Sequence, residues 1–304
     1  MLNRELPYIN AYGTTDISSA NSVQDALELA GMDWEVKSSV LYDERGCEIP
    51  GFRANIREDN NATLGIVSNK YQIVQNDSAL DFVNELPKEG DFKFDRAGVF
   101  RNGASIWVMG TLPEVNILGD NVSNNVVFVN SHDGSSGVKV MMTPIRLICH
   151  NMINLAMKRA DRIWSAKHTT HITTKLDEAR YTLQLANNYI EALTEEADVL
   201  ANKNITESQI EAIIDKMFPI DPQKDKQRKI NNIILFKNNF FSCYNEDDIK
   251  QFKGNAWGAI NAMADLIDHQ DPKRLTQNYY DNHWNKLING HSTLDTFYKE
   301  IKAA

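Results

Sequence analysis

Along the first half of the chain, apolar and polar positions alternate in short runs, and these runs are separated by residues typical of turns. Ser22 predicts the beginning of a helix, with Asp25 three residues later, and Gly31 predicts its end. The runs that follow are rich in β-branched and aromatic residues, as strands are, and Asn102-Gly103 predicts a tight hairpin between two of them. We predict strands over residues 34–42, 52–57, 62–67, 92–100, 105–112, 126–130 and 137–143.

Two more helices are expected within and after this set of strands. Asn76 or Asp77 is a suitable N-cap for a helix that runs to Leu86. Residues 145–164 place apolar side chains at helical spacing, which predicts a helix directly after the last strand. The core order is therefore β-β-β-α-β-β-β-β-α. Clustered antiparallel strands with packed helices indicate an α+β fold and not a series of βαβ units.

The second half of the chain has helical periodicity throughout. Thr206 and Gln209 form the pattern of a capping box, and further helices are expected at 223–241, 256–269, 278–289 and 292–302. Before them, apolar residues recur at alternating spacings of three and four. This heptad consists of Leu176, Ala179, Leu183, Ala186, Ile190, Leu193, Ala197 and Leu200. It indicates either a coiled-coil seam between protomers or one helix of an intrachain hairpin.

These patterns divide the chain into three parts. Residues 1–21 are polar and aperiodic and are expected to form an N-terminal arm, residues 22–172 an α+β core domain, and residues 173–304 an all-helical C-terminal domain. The boundary is placed near Thr173.

The composition is that of an ordinary globular protein, because 42% of the 304 residues are hydrophobic and 24% are charged. No apolar run approaches the ~18 residues of a membrane span, and the N-terminus lacks the apolar core of a signal peptide. The three cysteines are Cys47, Cys149 and Cys243, which are too far apart for a metal-binding pair and too few for a disulfide framework. We therefore expect a cytoplasmic protein without a membrane partner.

The net charge of −9 hides a basic segment. Residues 138–175 contain seven basic residues against Asp161 alone, a net charge of +6 that leaves −15 for the rest of the chain. This segment predicts either a solvated helix end or a surface that neutralises phosphates, and the neighbouring Trp164 favours single-stranded nucleic acid, whose bases stack on aromatic rings. The candidate contact residues are Lys70, Tyr71, Arg101, Lys139, Arg146, Lys158, Arg159, Arg162, Trp164 and Lys167.

A second candidate is the string Asn130-Ser-His-Asp-Gly-Ser-Ser-Gly137, which the strand pattern places in a hairpin loop. A catalytic triad needs an imidazole between a nucleophile and a carboxylate that converge from separate positions, which adjacent side chains rarely achieve. We interpret Asn130, His132 and Asp133 as parts of a polar turn or of a turn that contacts a ligand. The sequence contains no phosphate-binding loop and no metal-ligand spacing around His150, His168 or His171, so no enzyme activity, metal or cofactor is expected.

Residues 130–156, NSHDGSSGVKVMMTPIRLICHNMINLA, resemble the phage- and plasmid-related family catalogued as domain of unknown function 932. The stretches 26–35, 67–76 and 254–269 agree, so the resemblance spans about 22–270. It implies a role in phage or plasmid DNA metabolism. The core order is also similar to that of the single-strand annealing proteins of phage recombination, of the RecT and Red-beta type. That similarity implies DNA in a basic groove and assembly into rings or filaments.

Three functions therefore remain open at this point. The first is non-enzymatic single-stranded DNA binding and annealing by a homo-oligomer. The second is a phage-encoded module that binds a host defence or replication protein, for which an acidic helical half is suited. The third is a hydrolase or nuclease that uses His132 and Asp133.

Overall fold

The structure is a computed structural model that describes residues 9–10, 13–81, 83, 92–146, 152–157, 161–169, 171–172, 182–270, 272 and 274–304. It is an α+β protein, as the sequence predicts, with antiparallel sheets and a helical C-terminal region.

Two antiparallel sheets form the first part of the described chain. The small sheet has the order β2-β3-β4 and consists of Val36–Tyr42, Glu48–Arg57 and Thr63–Ser68. The large sheet has the order β1-β5-β6-β7-β8-β10, and β9 pairs with the part of β7 that β8 leaves free. Its strands are Thr15–Asp16 (β1), Lys93–Phe100 (β5), Ser105–Ile117 (β6), Asp120–Ser131 (β7), Val138–Met142 (β8), Ile145–Arg146 (β9) and Ile163–Ala166 (β10).

Two short helices lie among the strands, α1 at Val23–Leu29 and α2 at Asn76–Leu80. The C-terminal helices are Thr182–Ala201 (α3), Glu207–Met217 (α4), Gln227–Tyr244 (α5), Ala256–His269 (α6), Tyr279–Asn289 (α7) and Ser292–Ala303 (α8). None of the described helices combines the length and the apolarity that a membrane span requires.

Local signals in the sequence account for several of these ends. The Ser22 side chain accepts a hydrogen bond from the Asp25 amide, and Thr206 and Gln209 form both bonds of a capping box. Asn102 and Gly103 have φ values of 58° and 99°, left-handed conformations that reverse the chain between β5 and β6. These predictions from single residues are confirmed.

Both faces of the large sheet are buried. Alternate residues of β8 show the division, since Val140 packs into a cluster with α1 and α2, whereas Met141 packs against Trp284 and Ile288 of α7. A third cluster fills the space between the C-terminal helices. A strand that is buried on both faces needs apolar residues at nearly every position.

The apolar stripe of α3 packs inside the chain. Its members Ala186, Leu193, Ala197 and Leu200 have no exposed surface, and Ile190 is nearly buried. These five residues belong to the clusters with the sheet and with the C-terminal helices. Leu176, Ala179 and the side chain of Leu183 lie outside what the structure describes. The intrachain interpretation of the heptad therefore fits the structure, and these residues are not available for a seam between protomers.

The helix predicted over 145–164 is wrong within the described residues. Residues 145–146 form β9, residues 152–157 have no helical structure, and residues 163–166 form β10; 147–151 and 158–160 lie outside the described residues. Ile145, Met152 and Ile153 are all buried, in two different clusters. A segment that is buried on several sides gives an apolar spacing that does not distinguish a helix from an irregular chain.

Two other boundaries differ from the prediction. Residues 13–21 are not a free arm, because β1 pairs with β5 and Ile17 is fully buried. The helix that begins at Asn76 ends at Leu80, and its predicted end at Leu86 lies outside the described residues. The domain boundary near Thr173 also lies outside the described residues.

Candidate nucleic-acid interface

The hairpin loop between β7 and β8 is organised by the carboxylate of Asp133. Its Oδ1 accepts hydrogen bonds from Ser131 Oγ at 2.8 Å and from the Ser135 amide at 2.9 Å, and its Oδ2 lies 2.9 Å from Nη2 of Arg101. Burial acts to raise the pKa of Asp133, but these hydrogen bonds and the arginine outweigh it and hold the pKa below its usual range. The polar side chains of the loop therefore bond one another.

His132 is buried beneath this loop and contacts neither Ser131 nor Asp133 through its ring. Its Nε2 lies 2.9 Å from Oδ1 of Asn76, whose Nδ2 donates to the Met32 carbonyl, so the imidazole carries its proton on Nε2. Asn130 also donates to Asn76 Oδ1, at 3.3 Å. This arrangement does not place the imidazole between a nucleophile and a carboxylate, as a triad would require.

The small sheet reaches the loop through backbone and amide contacts. Asn55 Nδ2 donates to the His132 carbonyl at 2.6 Å, and Gly65 lies directly against Asp133. A Cβ at residue 65 would lie 2.5 Å from the Asp133 Cα, which is closer than packed atoms approach.

Replacing Gly65 with alanine is therefore expected to lower the free energy of unfolding by about 1–3 kcal/mol, because one backbone must move away from the other. Urea unfolding measures this change. Thr63→Ala, at an exposed position of the same strand, is the control and is expected to leave stability nearly unchanged. Equal stability of the two variants would show that the contact is not tight.

Tyr71 and Gln72, which directly follow Lys70, contact His168 just after the end of β10. The Gln72 amide donates to the His168 carbonyl, and the Tyr71 ring stacks on the His168 ring at 4.7 Å. The Tyr71 hydroxyl donates to the Ser131 carbonyl at 2.5 Å. One ring face of Tyr71 is therefore covered by His168, and its hydroxyl is bonded within the protein.

Lys139 and Arg162 lie further along the same pair of strands. Lys139 is opposite Ser165 of β10, and Arg162 immediately precedes β10. β10 is the last strand of the large sheet, Arg162 and Lys167 flank it, and Lys139 is on the neighbouring strand β8. Lys70 directly precedes Tyr71, which stacks on His168 just after β10. We call Lys70, Lys139, Arg162 and Lys167 the cationic edge. Residues 162–167 span roughly 16 Å at the rise of a strand.

None of the four cations of the cationic edge forms an ion pair with a carboxylate in the part of the chain that the structure describes. Arginines of the small sheet are paired, as Arg53 is with Glu48 and Arg57 with Asp59. The cationic edge is therefore a local concentration of uncompensated positive charge on an acidic protein.

The structure separates two other predicted contact residues, Arg146 and Arg101, from this edge. Arg146 is fully buried between Asp120 and Asp248, so its expected contact with phosphate is wrong for this conformation. Arg101 is neutralised by Asp133, and Trp164 is half-buried against the first cluster. Lys158 and Arg159 lie outside the described residues.

Sequence reasoning missed the turn between α7 and α8. Asn289 Oδ1 accepts a hydrogen bond from Lys139 Nζ at 2.9 Å, and the Ile288 carbonyl accepts one from Arg162 at 2.7 Å. These partners are separated from the cations by more than a hundred residues, and no local pattern marks them. No group of three or more His, Cys, Asp or Glu side chains in the described ranges is arranged to hold a metal ion.

These features define an α+β protein in which two antiparallel sheets, one with a cationic edge, precede a helical C-terminal region. The family model described as "Domain of unknown function (DUF932)" matches residues 63–287, well over half of the chain, and the chain belongs to this family. The match extends from β4 into α7 and includes the whole cationic edge. No curated protein and no solved structure matches the chain.

Proposed function

We propose that this protein binds single-stranded DNA without catalysing a reaction, and that it promotes strand annealing in phage or plasmid DNA metabolism. The supporting observation is the cationic edge, whose four side chains lie around β10 and have no carboxylate partner in the described chain. Phosphates of a nucleic acid supply the missing negative charge and release counterions as they bind. The half-buried rings of Trp164 and Tyr71 add aromatic surface for bases.

The proposal predicts a strong dependence of binding on salt. Arg162 is only 8% exposed, so the phosphates of a strand contact the three lysines of the cationic edge. Three contacts give a slope of log K against log salt of about −2, which is roughly a 20-fold loss of affinity between 50 and 200 mM salt. Lys70→Glu with Lys167→Glu is expected to weaken binding at least about 10-fold and to bring the slope to about −0.7. Fluorescence anisotropy of a labelled oligonucleotide measures both quantities.

Lys93→Glu with Lys226→Glu is the matched control, because both lysines are exposed and form no ion pair within the described residues. The control is expected to bind with the slope of the unmodified protein. Wild-type affinity in the Lys70 and Lys167 variant, or an equal loss in the control, contradicts the proposed interface. Annealing is followed separately with two complementary labelled strands, and DNA-induced assembly by the mass of the complex.

A second candidate function is a module that binds a host defence or replication protein. The outer face of the small sheet favours it, because Phe52 and Ile66 are 50% and 61% exposed and lie close together on β3 and β4. Exposed apolar patches on a folded protein often mark contact with another protein. This function is supported over the first if a pull-down retains one host protein and Phe52→Ser with Ile66→Ser abolishes that retention. The protein must also show no affinity for DNA at low salt.

A further inference from the structure

Arg162 and Lys139 both bond the turn that joins α7 to α8, and we call these two cations together with residues 289–291 the crevice. Arg162 lies in it with only 8% of its surface exposed, and half-buried Lys139 and residues 289–291 surround it. Nη1 of Arg162 donates to the carbonyls of Met142 at 3.3 Å and Ile288 at 2.7 Å. Its Nε and Nη2 have no hydrogen-bond acceptor among the described residues.

The positive charge of this crevice is not balanced by an ion pair. No carboxylate oxygen in the described chain lies within 4.0 Å of either cation. Burial lowers the pKa of Lys139, and the neighbouring Arg162 lowers it further. Burial lowers the pKa of Arg162, and Tyr189 and Asp295 oppose this effect only in part. Oδ1 of Asp295 accepts a hydrogen bond from the Ala156 amide.

A buried guanidinium without a paired anion is costly for a fold. Glycine at 290 brings the backbone close to this group, since a Cβ there would lie 2.9 Å from Nη2 of Arg162. The twelve-residue helix α8 begins at the same turn and adds partial positive charge, which the carboxylate of Asp295 in its first turn offsets in part. Cations, a free planar fork of donors and a helix N-terminus together are the chemistry that binds phosphate.

We propose that this crevice is a binding site for a phosphate monoester, either the terminal phosphate of a nucleic-acid strand or that of a free nucleotide. A monoester has a charge of about −1.5 to −2 at pH 7, which matches Arg162 and Lys139 better than the single charge of a diester. Arg162 is nearly buried, so a group that projects from the end of a molecule reaches it, whereas a phosphate in the middle of a strand does not. The inference shares two cations with the proposed function, but it does not require DNA along the cationic edge.

The first test uses the unmodified protein with inorganic phosphate, adenosine 5′-monophosphate and adenosine. Thermal unfolding and titration calorimetry are expected to show binding of the first two ligands and none of adenosine. Lys139→Met is expected to weaken phosphate binding at least 5-fold, whereas Lys93→Met, which removes an exposed and unpaired lysine of β5, leaves it unchanged. Lys139 is the better position for substitution, because Arg162 also bonds two carbonyls that support the fold.

The second test compares an oligonucleotide with a 5′-phosphate and the same strand with a 5′-hydroxyl. If the phosphorylated strand binds more tightly and Lys139→Met abolishes this difference, the ligand is the phosphate at the end of a strand. Binding of inorganic phosphate and mononucleotide with no preference between the strands identifies a free nucleotide. Absence of phosphate binding, or equal binding by Lys139→Met, overturns the site. The Lys70 and Lys167 variant weakens both strands equally if DNA follows the cationic edge, and it leaves both unchanged if that track is wrong. Either result is independent of phosphate binding, so the two failures are distinguishable.

Discussion

Replacing Arg146 with methionine is expected to lower the free energy of unfolding by about 3–5 kcal/mol, measured by urea unfolding. The Arg146 side chain is fully buried, its Nε donates to Asp120 Oδ2 at 2.9 Å, and its Nη1 lies 3.6 Å from Asp248. Removal of the guanidinium leaves two buried carboxylates without their positive partner, and methionine fills much of the same volume. The loss is therefore mainly the cost of uncompensated charge.

Arg101→Met is the matched control for this substitution. Arg101 also pairs with an aspartate, but its side chain is 52% exposed, and a pair of that kind contributes about 0–1 kcal/mol. Adding Asp120→Asn to Arg146→Met is expected to restore part of the lost stability, because it removes one of the stranded charges. If Arg146→Met and Arg101→Met both lose little stability, other groups must compensate the buried charges of Asp120 and Asp248.

Acidification from pH 7 to pH 5 is expected to lower the free energy of unfolding by about 2 kcal/mol through His132 alone. Burial, and to a smaller extent the neighbouring His168, lowers the pKa of His132 to about 4, against the opposing effect of Asp133. In the unfolded chain a histidine titrates near ~6.5. Between these values the unfolded chain binds a proton that the folded chain does not, so stability falls as the pH falls, by about 1.4 kcal/mol per pH unit.

His132→Gln tests the origin of this pH dependence. The variant is expected to be less stable at pH 7, but its stability should change less between pH 7 and pH 5 than that of the unmodified protein. Burial also lowers the pKa values of His168, His283 and His291, which leaves a residual slope. His171→Gln, at an exposed position, keeps the full slope. An unchanged slope in His132→Gln would assign the effect to the other histidines.

The elements that the sequence predicts correctly are those whose signal is local. Ser22, Thr206 and Gln209 satisfy helix ends within three residues, and Asn102-Gly103 reverses the chain by its own backbone conformation. The class of fold follows from the same patterns. The helix predicted over residues 145–164 is wrong because their apolar spacing reflects burial in two clusters and not the period of one helix.

The candidate interface is predicted only in part, for a related reason. Lys139 on β8 and Lys167 after β10 lie near one edge of the large sheet, as a basic surface requires, yet Arg146 in the same basic segment is a core residue. The difference depends on Asp248, a partner about a hundred residues away. A single sequence shows the charge of an arginine, but it does not show whether a distant carboxylate neutralises it.

The position of β10 at the end of the large sheet also affects how the protein avoids self-aggregation. A terminal strand presents unpaired backbone N–H and C=O groups that another sheet can pair with, and lysines beside such a strand oppose this through repulsion between copies. Lys167 directly follows β10, and Lys139 lies on its neighbour. The charges that we propose for phosphate contact therefore also protect a sheet edge, and a variant without them loses colloidal stability together with affinity.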